Sequence, residues 1–314
     1  MYTFEVSEPV LALAAHRILM DEIIPWKTAI EKFILTAVRS TTSIGFRGEV
    51  AAQVLCLMAW QVVLKSRKVI YEFPCIPLWD YINALLGDLK SQLAEEDVVS
   101  LKAVFKTHVV RVNQFVKTFA PPSATMLKEY FLRASAVYCV ENQAVIDLAI
   151  PAADLLTDDG AYDKKAVSDE VMSTIGIQVR LKGAYASSGA LSEWVTRLRK
   201  LPFLKTAKKP FLGIFLEFGP SSDHFPRDQP LPSEPGEVWY DHVKNCHALF
   251  IRRLLPGNIF HALDATKKAD LDSVFRTLLH SHVDPSQFPN VDSFVRNEIC
   301  DMFECQPYMS STKQ

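Results

Sequence analysis

Neither sign of charge dominates this chain. Its 34 lysines and arginines stand against 36 aspartates and glutamates, a formal net charge of −2, so any contact with nucleic acid has to use a local patch rather than a global field. A membrane-length apolar run is missing too. The longest, Val50 to Leu64, is interrupted by Gln53 and Gln61 and falls short of the roughly 20 residues a span needs; we read it as a buried helix, and no membrane partner is expected. No charged segment followed by an apolar stretch opens the sequence, Met1-Tyr-Thr-Phe-Glu-Val-Ser-Glu being acidic and mixed, so the usual secretory signal is not expected and an intracellular protein, nuclear or cytoplasmic, is. The six cysteines, Cys56, Cys75, Cys139, Cys246, Cys300 and Cys305, are dispersed in mostly apolar settings, which fits reduced thiols. His280, His282, Cys300 and Cys305 can be gathered into a zinc site on paper, but their spacing matches no common finger. The lack of Gly-x-x-x-x-Gly-Lys-[Ser/Thr] excludes a P-loop ATPase domain from this chain. The lack of Gly-x-Ser-x-Gly leaves a serine hydrolase without support.

What is present is an ordinary globular composition. Of 314 residues, 49 % are hydrophobic and 22 % charged, enough for one large core or two smaller ones. Residues 8 to 40 show helical periodicity in two segments, Val10–Met20 and Trp26–Val38, broken at Pro25. The cluster Ser40-Thr-Thr-Ser43 reads as a loop before a helix beginning near Glu49. Residues 76 to 118 are again helical in pattern, with Leu78–Leu86 and then Val98–Val110 led by the acidic Glu95-Glu96-Asp97. From Pro121-Pro122 the character changes. A short helix around Ala124–Phe131 precedes a hairpin of Ala134–Val140 and Ala144–Ile150, turning at Glu141-Asn142-Gln143. A polar loop, Asp154–Ser173, leads to a strand through Ile175–Lys182, an amphipathic helix Ser188–Lys200 and strands Phe211–Phe218 and His247–Arg253. The proline-rich stretch from Gly219 through Pro235 reads as a loop and Cys305–Gln314 as a tail.

Three segments carry candidate chemistry. In Ile175-Gly-Ile-Gln178-Val-Arg180-Leu-Lys182, alternation points Ile175, Ile177, Val179 and Leu181 to one face and Gly176, Gln178, Arg180 and Lys182 to the other. The plain alternative is a polar face in water. Asp147, inside Ala144-Val-Ile-Asp147-Leu-Ala-Ile150, is a carboxylate in an apolar strand, which asks for a partner, a hydrogen bond or a metal. Glu49 and Gln53 share a helix face at i,i+4; the plain reading of Glu49 is a solvated first-turn glutamate favoured by the helix dipole.

The helix start Gly45-Phe-Arg-Gly48-Glu49, the hairpin with Ile146-Asp147-Leu-Ala-Ile-Pro151 and the run Ile177-Gln178-Val-Arg180 together resemble the PD-(D/E)xK nuclease superfamily. They are most similar to the restriction-type nuclease domains of fungal Crinkler and retrotransposon-hot-spot-like proteins. The resemblance covers about residues 41 to 218. It implies an α/β fold with a restriction-endonuclease-like αβββαβ core, and metal-dependent phosphodiester hydrolysis of DNA, or of RNA, with Mg²⁺ or Mn²⁺ as cofactor. Asp147 then matches the central metal-binding Asp, Gln178 the Glu/Gln position and Glu49 the helix carboxylate. Arg180 falls where the family usually has lysine; a guanidinium stays charged and cannot act as a base. Lys182, two residues further on the same face, is the candidate substitute. Two carboxylates and a carboxamide still suit a hard, oxygen-liganded Mg²⁺ that keeps several waters.

The expected organisation is an N-terminal helical segment over 1–40, a nuclease-like domain over 41–260 with a helical insertion at 66–130, and a C-terminal helical segment and tail over 261–314. Proteins similar to this one commonly place a P-loop ATPase domain before the nuclease; here that partner would lie outside this chain. Arg197, Arg199, Lys200, Lys205, Lys208 and Lys209 cluster after the strand of Gln178 and are the candidate phosphate contacts, with a solvated helix end as the plain alternative. Two functions follow: an endonuclease, or a catalytically inactive nuclease-like fold, disabled by Arg180, that binds nucleic acid or protein.

Overall fold

A computed structural model of the chain describes residues 44–67, 75–87, 89–118, 122–139, 145–158, 160–162, 167–180, 188–205, 208–218 and 238–251, with Thr28 and Glu31. Expectations for 8–40 beyond those two residues, for the Ser40–Ser43 loop, the Glu141–Gln143 turn, Lys182, the 219–235 loop, the paper zinc site and the segment 261–314 lie outside the described residues.

The organising helix is α1, Ile44–Arg67. It is apolar on nearly every side, with Ala51, Ala52, Leu55, Cys56, Met58, Ala59, Trp60, Val63 and Leu64 all buried, the pattern of a helix enclosed in a core. By length and composition Gly48–Arg67 can cross a membrane, yet 67 % of its most apolar window is buried inside the protein. Glu49 lies in the second turn, half-buried, so the solvated first-turn reading does not hold.

After α1 come β1 (Ile76–Pro77), α2 (Leu78–Leu86), α3 (Glu95–Phe105), β2 (His108–Val110), β3 (Gln114–Lys117) and α4 (Ala124–Leu132). The described residues of 66–130, expected as a helical insertion, thus hold three short strands as well as helices. The apolar periodicity of Val98 onward does not continue to Val110: α3 ends at Phe105, and three buried residues pair as a strand. The chain then forms β4 (Ser135–Tyr138), β5 (Leu148–Asp154), β6 (Met172–Arg180), α5 (Ser188–Leu198), α6 (Pro202–Lys205), β7 (Phe211–Glu217), β8 (Val238–Val243) and β9 (Cys246–Ile251).

These strands make one mixed sheet of nine, ordered β1-β2-β5-β6-β7-β9-β8, with β4 antiparallel to β5 and β3 parallel to β4. The β6–β7 and β7–β9 pairs are parallel. The fold is therefore mixed α/β. Pro151 sits inside β5, between Leu148 and Ala149, which pair with β4, and Ala152–Asp154, which pair with β2. A missing N–H is tolerated at that break in the ladder. The expected strand Ala144–Ile150 is displaced toward its C-terminus: β5 begins at Leu148, so Asp147 stands just ahead of the strand rather than within it.

Helices cover both faces of the sheet. On one, α1, α2 and α3 pack on Tyr138, Leu148, Ile150, Ile175, Ile177, Leu212 and Ile214. On the other, α5 and α6 bring Trp194, Val195, Leu198, Phe203 and Leu204 against Val137, Ile146, Ala149, Phe211, Phe215 and Phe250. The alternation along β6 thus sorts residues between two covered faces, not between core and water, until its half-buried end is reached at Gln178. Trp194 makes edge contacts with Phe215 and Phe250, ring centroids 5.5 and 5.6 Å away, a geometry aromatic rings favour.

The approach of α5 depends on glycine. A Cβ on Gly213 would collide with Leu198 Cδ2 and lie 2.8 Å from Trp194 Cη2, both in a packed cluster. Gly213→Ala should therefore destabilise the protein by about 1–3 kcal/mol through overpacking, read by urea or thermal denaturation. A variant as stable as wild type would show that α5 does not lie this close to β7.

Candidate active site

At the C-terminal end of β6 the chain brings together side chains far apart in sequence. Asp147 reaches the strand end directly: its Oδ2 accepts from the Val179 backbone N–H at 2.6 Å and from Gln178 Nε2 at 2.7 Å. Its backbone is fixed as well, the N–H donating to Ile177 O and the carbonyl accepting from Cys139 N–H, each at 2.8 Å. Both side-chain bonds fall on Oδ2, which leaves Oδ1 available to a ligand. With Nε2 committed to Asp147, Gln178 has Oε1 left for the same use.

Glu49 comes from α1. Its Oε2 accepts a short hydrogen bond from the Tyr138 hydroxyl, at the end of β4. The two carboxylates sense one another. Burial pushes the Asp147 carboxyl up to about 7; the bond from Val179 pulls it down, the charge of Glu49 raises it further, and Gln178 draws it down again. Cys139 is pushed to about 12 by burial and then by the charges of Asp147 and Glu49, so it is a protonated thiol rather than a nucleophile. An acid of raised proton affinity beside a second carboxylate is what a cation-binding or proton-transfer site requires.

The segment ahead of Asp147 is strained. Val145 has φ +106°, a region disfavoured for a β-branched residue and costing of order 1–3 kcal/mol. Its carbonyl accepts from the Trp194 indole N–H at 2.7 Å, so α5 holds the bend that delivers Asp147.

Asp147 and Gln178 are thus in direct contact, and Glu49 stands near enough for its charge to act on Asp147. Arg180, two residues past Gln178, shares its face of β6 by alternation and stands opposite Glu217 in the parallel β6–β7 register. Lys182 is outside the described residues. The basic cluster is not at the site. Lys208 pairs with Glu170 at 2.6 Å and Lys209 with Asp154 at 2.5 Å, next to the start of β7, which runs parallel to β6. Gln178 stands six residues along β6 from Met172, so at ~3.3 Å per residue these lysines lie roughly 20 Å from Asp147. Arg197, in the last turn of α5, and Arg199 and Lys200 just after it lie toward the same far side, Arg199 being close enough to influence Cys246, the register partner of Phe211. Nothing is described of the Lys205 side chain. Sequence reasoning missed Tyr138 and Cys139. Tyr138 is one of several aromatic residues in strands, and only the packing of α1 on β4 singles it out.

Among the described residues no group of three or more His, Cys, Asp and Glu side chains is arranged to hold a metal. The donors here are two carboxylates and a carboxamide, oxygen ligands of the kind a partly hydrated Mg²⁺ or Mn²⁺ accepts; by donor chemistry, the residues fit.

No family model, no curated protein and no solved structure matches the chain. The geometry itself is testable through stability. Because the folded carboxyl of Asp147 sits near 7, against 3.8 ordinarily, the native state keeps a proton that the unfolded chain gives up. Stability is therefore lost as pH rises from about 4 to about 7 and is level above. Asp147→Asn, whose amide oxygen accepts the same two bonds, should raise stability at pH 8 by on the order of 2 kcal/mol, and by less at pH 5, in thermal melts. A variant less stable than wild type at both pH values would contradict a buried, proton-retaining carboxylate.

Proposed function

We propose that this protein is a metal-dependent deoxyribonuclease with a restriction-endonuclease-like core, hydrolysing DNA phosphodiesters at the Glu49–Asp147 site. The observation that carries this reading is the Asp147 carboxylate just ahead of β5, oriented by Gln178 and Val179 of β6, with the Glu49 carboxylate of α1 near enough for its charge to act on it. Two further features support it. The helix α1 and the succession β4, β5, β6, α5, β7 follow the order that the resemblance implies, and the oxygen donors suit Mg²⁺ or Mn²⁺.

In this reading Asp147 Oδ1, Glu49 and Gln178 Oε1 are the ligands. A divalent cation bound there supplies charge to polarise the phosphate and lowers the pKa of a water. The protein's own part is positional. Val179 N–H and Gln178 Nε2 fix the Asp147 carboxyl, and Tyr138 fixes that of Glu49. Asp147 must give up its proton to bind a cation, so occupancy rises with pH through about 7. Arg180, opposite Glu217, is a permanent cation and takes no proton from water. That last point favours a second reading, a nuclease-like fold without catalysis that binds nucleic acid or protein.

Cleavage of supercoiled plasmid by the purified chain with Mg²⁺ or Mn²⁺ separates the two. The nuclease reading expects nicking that EDTA abolishes and that Asp147→Ala lowers at least about 100-fold, more than the loss from a residue that only orients a ligand, with Gln178→Ala falling between. No cleavage with either metal, and DNA binding indifferent to Asp147→Ala, would leave the interaction module standing.

A further inference from the structure

Arg180 shares the α5 face of β6 with Gly176 and Gln178 and stands opposite Glu217 of β7, so it comes to the site from the Gln178 side. Glu49 is on the opposite side. Tyr138, whose hydroxyl donates to Glu49, packs in the α1 core, so a cation beside Glu49 itself projects from the α1 face of β4 or its neighbour. That neighbour is β3, contributed by the insertion. The parallel β3–β4 register makes Lys117 the partner of Tyr138, and partners in register project from the same face. Phe115, two residues earlier, packs on the same α1 core. Lys117 is exposed, and its Nζ lies 5.7 Å from the centroid of the Tyr138 ring. An ammonium therefore stands over the ring whose hydroxyl is bonded to Glu49.

We infer that Lys117 is the phosphate-binding lysine of this site, receiving the backbone of a DNA strand as it comes against Glu49 and Asp147. The inference rests on the nuclease reading and deepens it. Two carboxylates repel a phosphodiester, and a compact ammonium on a four-carbon stem is suited to offset that repulsion. A cation–π contact at an exposed site is worth about 0.5–1 kcal/mol, and the 5.7 Å approach to the Tyr138 ring keeps the ammonium beside the hydroxyl that bonds Glu49. Lysines 208 and 209, held in ion pairs at the far end of β6, are not placed to do this.

The test is binding of a short fluorescein-labelled DNA duplex to the full chain in Ca²⁺, across a salt series, for wild type, Asp147→Ala, Lys117→Met and Lys117→Arg. Lys117→Met should weaken binding several-fold and reduce the slope of log affinity against log salt by about 1, and Lys117→Arg should restore the slope. Both lysine variants should melt with wild type, the side chain being exposed; if Lys117→Met does not, Lys117→Gln takes its place in the comparison. Wild-type slope and affinity in the variant that removes the charge, while Asp147→Ala impairs Ca²⁺-dependent binding, would overturn the role of Lys117 and leave the nuclease reading intact. Wild-type binding that ignores both Ca²⁺ and Asp147→Ala would overturn the two together.

Discussion

The carboxylate of Asp147 is tied to the end of β6 by two hydrogen bonds to one oxygen, and the arrangement around it depends on that tie. It fixes where β5 begins, because the Asp147 N–H and carbonyl already bridge β6 and Cys139. It also obliges the preceding backbone to bend, which Val145 does at a positive φ with its carbonyl held by the Trp194 indole. Trp194 can stand there because Gly213 of β7 has no side chain to displace it. Sheet register, a strained turn, an aromatic anchor and a glycine thus converge on the placement of one acid.

That placement works against stability. A buried carboxylate near a second one, from Glu49, prefers to hold its proton, and the strained valine adds to the expense. The surrounding core offsets both. Helices lie on both faces of the nine-stranded sheet, and α1 is enclosed almost completely. Native proteins tolerate such local conflicts mainly at functional sites, and here the acids are offset by a sheet length from the ion-paired lysines 208 and 209 that neutralise Glu170 and Asp154.

How much of this was legible in the sequence follows from the length and range of each signal. Helix α1 was, since Val50–Leu64 is long and apolar, and so was the succession from β4 to β7, where 7 to 11 residues of clear period define β5, β6, α5 and β7. Strands β1, β2 and β3 were not. Two to four residues show no period of their own, and His108-Val-Val110 merely extends the apolar spacing of α3. Strand β8 was missed because an exposed edge strand reading Val238-Trp-Tyr-Asp-His-Val has polar residues on both sides. At the site, Asp147 announced itself as an acid among apolar residues, though one position outside its strand. Tyr138 and Lys117 could not, because their relation is a parallel register formed across the intervening α4. The basic run from Arg197 to Lys209 looked near Gln178 because it follows in sequence; the parallel pairing of β7 with β6 sends it to the other end.

The central claim is that Glu49 and Asp147 form a divalent-cation site whose occupancy displaces the Asp147 proton. Calorimetric titration of Mn²⁺ into wild type and Asp147→Ala, at pH 6.5 in two buffers of different ionisation enthalpy and again at pH 8, tests it most directly. The account predicts one site, protons released at pH 6.5, tighter binding at pH 8, and no comparable binding in the variant. Binding unchanged by Asp147→Ala, or none at either pH, would contradict it.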